Sequence, residues 1–170
     1  MTTVLIIFNV LLLGVYLYSL LLAVRDTTKP DVNIKWMLDE GATKPTRAHD
    51  TDAGFDFYAL HGITVPARSY VIVDTGVHWQ PDALCYMKIE SRSGTAVKDG
   101  IEKGAGTIDM AYTGEIKIKL RNETDKDFKV RAGDKVAQGV VTLLPRIKDV
   151  VVKELEETDR GDRGFGSTGR

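Results

Sequence analysis

The chain has a single cysteine, Cys85, among 170 residues. That excludes a disulfide framework and any zinc site built from several cysteines. It also lacks an excess of either charge: 23 Lys and Arg stand against 24 Asp and Glu, for a net charge of -1 at pH 7. A protein dedicated to coating nucleic acid needs clustered basic excess, so no nucleic-acid partner is expected. His49, His61 and His78 are scattered without metal-ligand spacing, and no chemistry is assigned to them. After residue 30 there is no long amphipathic helical pattern, and there is no internal repeat. Charge is missing altogether from residues 1–24. The chain as a whole is 43% hydrophobic, with enough Val, Ile, Leu and Phe to exclude disorder throughout.

The uncharged start is a run from Val4 to Val24, interrupted only by Asn9, Gly14 and Ser19. As a helix it would span about 31 Å, close to the hydrocarbon thickness of a bilayer. It has no polar face, as a buried amphipathic helix would. It also has no basic residue ahead of it and no good small-x-small site at Leu22-Ala23-Val24, which speaks against a cleaved signal peptide. The expectation is one N-terminal apolar helix, residues 1–28, attaching the chain to a membrane through residues 4–24. The other readings are a signal peptide, or a start codon assigned upstream of a soluble protein. Arg25 and Lys29 follow the run, so the positive-inside rule puts the following domain in the cytoplasm, against the counterweight of Asp26 and Asp31.

Beyond a short polar link from Asp26 to Asp31, the pattern is of short strands. Glu115 to Leu120 alternates strictly between polar and apolar, and Tyr70–Val73, Val140–Leu144 and Val150–Val152 are β-branched or aliphatic runs bounded by turn formers. Glycines punctuate residues 54–133 at short spacings, as in sandwiches and barrels. Ser93 to Lys98 has room for a helical turn or two at most. The expectation for residues 29–159 is a single all-β domain. Cys85, between Leu84 and Tyr86, is expected to pack in a strand. Residues 160–170 differ: four are Gly and only Phe165 has the means to anchor to a core, so a flexible arm is expected.

Within that arm, Gly164 to Gly169 fits the G-x-G-x-x-G pattern of dinucleotide sites, which requires a strand before and a helix after, and only Arg170 follows. It has no P-loop lysine either. Taken alone, the segment reads as a Gly-rich tail, or as backbone amides, hydroxyls, an arginine and a ring able to fold over phosphates and stack on a base. Four other segments precede it. They are Asp52 to Ala59 (DAGFDFYA), Ser91 to Gly94 (SRSG), Gly104 to Ile116 (GAGTIDMAYTGEI) and Ala132 to Gln138 (AGDKVAQ). In this order and at these spacings the five motifs resemble the trimeric deoxyuridine triphosphatase (dUTPase) family, from about residue 32 onward.

The resemblance implies a jelly-roll-like β fold (β-clip), a homotrimer with shared sites, and Mg²⁺-dependent hydrolysis of dUTP to dUMP and pyrophosphate. By the same resemblance Asp109 is the base that deprotonates the attacking water, where without it an Asp capping a turn would serve. Tyr112, otherwise a plausible core tyrosine, would pack on the deoxyribose. Gly106, Thr107 and Ile108 belong to a hairpin whose main chain reads uracil, with Lys117 sometimes adding a contact. Arg92, Ser93 and Gly94 would bind phosphates from a neighbouring subunit, although Ser91 stands where the family usually has Pro. Gln138 would reach the phosphates, and Asp134 would serve its turn. Asp56 would approach the metal through water, or else position the site. Arg160 would meet the γ-phosphate, Phe165 would stack on uracil, and Gly166, Ser167 and Thr168 would wrap the triphosphate. Arg163 falls where the family often has Gly. Two rivals stay open: a dCTP deaminase-like enzyme of the same fold, and a regulatory module of this fold that binds a partner protein.

Overall fold

Alternation of burial makes the middle of this chain into sheet. In Cys85–Glu90 the first, third and fifth side chains are buried and the others face outward, and in Val77–Pro81 the buried set is Val77, Trp79 and Pro81. The computed structural model describes residues 12–20, 31–92, 99–104 and 106–162. Its first five strands are β1 (Ile34–Leu38), β2 (Gly54–Tyr58), β3 (Ile63–Val65), β4 (Tyr70–Val73) and β5 (Val77–Pro81). These are followed by β6 (Cys85–Glu90), β7 (Ile101–Lys103), β8 (Thr107–Asp109), β9 (Ile118–Asn122), β10 (Phe128–Val130) and β11 (Lys135–Leu143).

All the pairings are antiparallel. A four-stranded sheet runs β2-β11-β6-β8, a three-stranded one runs β4-β9-β7, and β1-β5 and β10-β3 form two-stranded ribbons. Each sheet sends side chains into one core: Phe57, Met87 and Ile89 from the first, Val73, Ile118 and Leu120 from the second, Trp79 and Val77 from β5, Val65 and Val130 from the β10-β3 ribbon. The expected all-β class is what is seen, and sequence-adjacent strands are often not neighbours, as in jelly-roll-like folds. Asn122 is the one fully buried amide in this core. Its Nδ2 donates to the Val65 and Lys126 carbonyls, and its Oδ1 accepts from the Thr124 amide and hydroxyl, so both ends of this amide are satisfied.

Three expectations meet a different structure. The Val150–Val152 run forms no strand, and Val151 is 99% exposed. β-propensity needs a partner ladder to act on, and none lies beside this segment among the described residues. The strand expected from Glu115 begins only at Ile118, because Glu115 turns its carboxylate to the Thr75 and Gly76 amides instead of joining a ladder. At the N-terminus, residues 12–20 are helical and exposed throughout. No helix among the described residues is long and apolar enough to cross a membrane; the rest of the 4–24 run, like Ser93 to Lys98, lies outside them. Cys85 does pack in a strand, as expected, and its burial pushes the thiol pKa up.

Gly139 marks the tightest point of the core. It faces inward between Phe55 and Ile89, and a Cβ there would sit 2.5 Å from Met87 Sδ and 2.6 Å from Phe57 Cε2. Gly139→Ala should therefore destabilise the fold by about 1–3 kcal/mol through overpacking. Urea unfolding of the two proteins, with equal slopes and a lowered midpoint for the variant, is the check.

Candidate active site

The expected site residues gather on the outer face of the four-stranded sheet. Because side chains alternate along a strand, residues opposite one another share a face. Asp56 lies opposite Gln138, and Gln138 opposite Glu90, so these three form one row across β2, β11 and β6. Asp109 lies opposite Tyr86 on the same face. Tyr86 and Glu90 are four residues apart, which at strand rise separates the Asp109 end from the Gln138 row by about 13 Å. Arg92 lies two residues further on, past the end of β6.

The Gln138 end holds a cluster of ion pairs. Asp56, with its side chain only 15% exposed, receives Arg92 Nε on Oδ1 at 3.1 Å and Lys135 Nζ on Oδ2 at 2.7 Å. One carboxylate thus organises two cations, and the Lys135 pKa is raised, first by its hydrogen bond to Asp56. Arg92 and Lys135 line a cleft of about 220 Å³ with Asp99, Asp134 and apolar residues of β9, β10 and β11. Asp134 caps the turn before β11: its Oδ2 accepts the Arg131 amide at 2.7 Å, and Gly133 there has a φ of 82°. Ser91 Oγ accepts the Lys103 amide at 2.9 Å, a bond that a proline at this position would not provide.

The Asp109 end is an open main-chain edge. β8 pairs only with β6, and the Ile89 amide donates to the Gly106 carbonyl at 2.6 Å. In an antiparallel ladder hydrogen-bonded pairs alternate, which puts the next one at Met87 and Ile108. The Ile108 main chain is therefore directed to β6 and its side chain packs against the core. Of the two main-chain contacts expected for a base, only Thr107 keeps its amide and carbonyl at the open edge. Gly106 has no room for a side chain, since a Cβ would stand 2.8 Å from the Ile89 carbonyl oxygen.

A compact turn follows. Tyr112 donates its amide to the Asp109 carbonyl and its hydroxyl to the Glu115 carbonyl, both at 3.0 Å. The ring, 47% exposed, lies over Gly114, where a Cβ would meet the hydroxyl at 2.6 Å. Glu115 Oε1 accepts the amides of Thr75 (3.0 Å) and Gly76 (2.9 Å), and its Oε2 meets Lys117 Nζ at 2.8 Å. Lys117 also bonds Asp74 at 2.5 Å, and these two carboxylates raise its pKa. Thr107, Ile108, Asp109, Tyr112, Glu115 and Lys117 line a second cleft of about 280 Å³. Among the described residues the Asp109 carboxylate makes no hydrogen bond or ion pair.

Thus the structure brings Asp56, Arg92 and Gln138 to one end of the sheet face, and Gly106, Thr107, Asp109, Tyr112 and Lys117 to the other. Arg160 is exposed beyond the sheets. Ser93, Gly94, Arg163, Phe165, Gly166, Ser167 and Thr168 lie outside the described residues. Sequence reasoning passed over Lys135 and Glu115, although both stand inside recognised motifs. The signal was charge within an otherwise small-residue or apolar motif, which only a partner makes meaningful.

Fold and site together define an all-β protein with a cleft lined by ion-paired Arg92 and Lys135 at one end of a sheet face and a carboxylate beside an open main-chain edge at the other. A dUTPase family profile matches residues 40–169. The deoxyuridine 5'-triphosphate nucleotidohydrolase of Saccharomyces cerevisiae is 46% identical over 132 residues, covering 75% of this chain and 88% of that protein. The protein of the same name from Eremothecium gossypii is also 46% identical, over 76% of this chain and 86% of its own. In fold the chain is similar to the dUTPase of Staphylococcus bacteriophage 80alpha, with a TM-score of 0.74 at 23% identity, covering 84% of this chain and all of that one. The chain belongs to the dUTPase family.

Glu115 offers a test of how the Asp109 turn is held. Burial would raise its pKa, but the Lys117 ammonium and the Gly76 amide together hold it below the ordinary 4.5. A depressed carboxyl stabilises the fold above its unfolded pKa and loses that contribution as pH falls through the folded value. The stability gap between the parent and Glu115→Gln should therefore be full above pH 4.5 and close on further acidification. Thermal melts of both proteins across that range measure it, and a gap independent of pH would contradict the assignment.

Proposed function

We propose that this chain is a dUTP diphosphatase, hydrolysing dUTP to dUMP and pyrophosphate by attack of water on the α-phosphorus. The observation that carries the reading is the position of Asp109: outward on the sheet face, unpaired among the described residues, next to the open Thr107 edge and the Tyr112 ring. A general base needs a lone pair and a fixed position, and the Asp109–Tyr112 turn supplies both. The water's proton passes to the Asp109 carboxylate as its oxygen bonds phosphorus, and the bond from phosphorus to the bridging oxygen breaks to release pyrophosphate. Thr107 hydrogen-bonds the uracil edge through its main chain, Gly106 keeps the strand close against β6, and Tyr112 packs on the deoxyribose. Lys117, held by Asp74 and Glu115, braces the turn.

Arg92 and Gln138 take the phosphates, with Ser93 and Gly94. Arg160, Phe165, Gly166, Ser167 and Thr168 close over the nucleotide. Charge-assisted and backbone donors are what a developing pyrophosphate requires. Mg²⁺ fits this donor set as an ion carried in on substrate oxygens and water, since no three His, Cys, Asp or Glu side chains converge among the described residues. It would neutralise charge on the triphosphate. Asp56, engaged on both oxygens, positions Arg92 and Lys135, and any contact with the ion runs through water.

The arrangement favours a homotrimer with shared sites. The family resemblance implies that a neighbouring copy supplies Arg92, Ser93 and Gly94 to the nucleotide held at the Asp109 end. Val150, Val151 and Leu155, more than 80% exposed, would be covered in the same assembly. An aspartate placed for water activation at the phosphate favours this activity over the dCTP deaminase-like one. A pyrophosphate-release panel over the common deoxynucleoside triphosphates, with and without Mg²⁺, tests it, and comparable rates on dTTP and dUTP would sink the specificity. In the same assay Asp109→Asn should retain binding and lose about 10²–10⁴-fold in kcat, the usual worth of a general base.

We also retain the N-terminal run as a membrane anchor with the catalytic domain on the cytoplasmic side, on the strength of its 21 residues without charge. Every recognised motif lies beyond residue 50, so removing residues 1–28 should leave dUTP hydrolysis unchanged. Carbonate extraction of membranes should retain the full chain and release the shortened one; full-length protein wholly in the soluble fraction would refute the anchor.

A further inference from the structure

We propose that His78 is a positioning residue for the turn from Asp109 to Glu115, holding through its imidazole the loop that carries the base and the sugar-facing ring. The proposal rests on the reading of that turn as the nucleoside site. His78 stands in β5 opposite Met37 of β1, on the outward face that also holds Lys35 and Gln80. Its Nδ1 lies 2.9 Å from the Thr113 carbonyl oxygen. A carbonyl only accepts, so Nδ1 carries the proton in this contact, and the neutral ring leaves Nε2 as an acceptor. Nε2 is buried without a hydrogen-bond partner, and the nearest charged oxygen, Asp39 Oδ1 at 3.3 Å, is an acceptor as well. A buried acceptor facing an acceptor is costly, and a second proton on the ring removes the conflict by letting Nε2–H donate to Asp39.

The charged groups around the ring favour that second proton. Asp39 faces it from the end of β1 and Glu115 from the turn, while Lys35 stands on the neighbouring strand and Lys117 is committed to Asp74 and Glu115. The imidazole pKa is accordingly raised above 6.5, first by the Thr113 carbonyl, against burial, with Asp39 and Glu115 adding. Below that pKa the ring ties Thr113 to the β1 end; above it only the Thr113 bond remains. Thr113 is flanked by Tyr112 and Gly114, whose ring-over-glycine packing and bonds to Asp109 and Glu115 allow little independent movement. Loss of the Asp39 tie loosens the ring that holds Thr113, and any movement of Thr113 is transmitted to the Tyr112 ring and to the main chain at Asp109.

The test uses the full-length parent, His78→Ala and His78→Asn. Imidazole nitrogen spectra of the nucleotide-free parent should show the Nδ1-protonated tautomer at high pH and a titration above 6.5. Amide signals of Thr113 and Gly114 should move with that titration. In pyrophosphate release from dUTP, His78→Ala should raise KM on the order of tenfold with a smaller loss in kcat. His78→Asn, whose amide reaches the Thr113 carbonyl, should bring KM back to within about threefold of the parent and abolish the parent's change of KM with pH. A parent KM in His78→Ala at every pH, an Nε2-protonated tautomer, or an Asn variant no better than Ala would each overturn the proposal. If His78→Ala does not fold, the tautomer and the Asn variant decide. A parent protein inert toward dUTP refutes the functional reading alone, because the spectra still report whether His78 and Thr113 are coupled.

Discussion

The register of β6 is the constraint on which the rest of the site depends. This strand is paired on both sides, with β11 through Gln138 opposite Glu90 and with β8 through Asp109 opposite Tyr86. Its inward residues, Cys85, Met87 and Ile89, are fully buried, so a slip of one residue would expose all three and bury Lys88 and Glu90. The hydrophobic core thereby fixes the distance between the Arg92 and Lys135 cleft and the Asp109 edge.

Electrostatics divides the carboxylates of this face into two kinds. Asp56 and Glu115 have both oxygens engaged, by Arg92 and Lys135 in one case and by two amides and Lys117 in the other. Such carboxylates hold cations and loops in place and are poorly suited to accept a proton. Asp109, outward and without a partner among the described residues, has both oxygens unengaged. The same economy explains the glycines at 106 and 114: each lies where a backbone carbonyl or the Tyr112 hydroxyl comes within 3 Å of a would-be Cβ.

Much of the fold was legible because it is local. Tyr70–Val73 forms β4 with the bounds its β-branched run suggested, and Cys85 packs as its apolar flanks implied. The failures share one cause. Val150–Val152 has strand composition but no partner ladder among the described residues, and Glu115 has the alternation of a strand but a carboxylate wanted elsewhere. Propensity and period describe a segment, whereas pairing is a property of two. The candidate site was legible as five ordered motifs. Which main-chain groups face the open edge was not legible, because the β6 ladder decides it, directing Ile108 to β6 and Thr107 outward.

By itself the sequence determined the all-β class, the family, and the residues of the candidate site, since each of these is carried by composition and motif along the chain. Only the tertiary structure decided which charges neutralise one another. The ion pairs of Asp56 with Lys135 and of Lys117 with Asp74 join residues 79 and 43 positions apart. The contact of His78 with Thr113 spans 35 positions and depends on how β5 packs beside the Asp109 turn. Long-range partners are set by the packing of sheets around a common core, and no pattern along the chain records that.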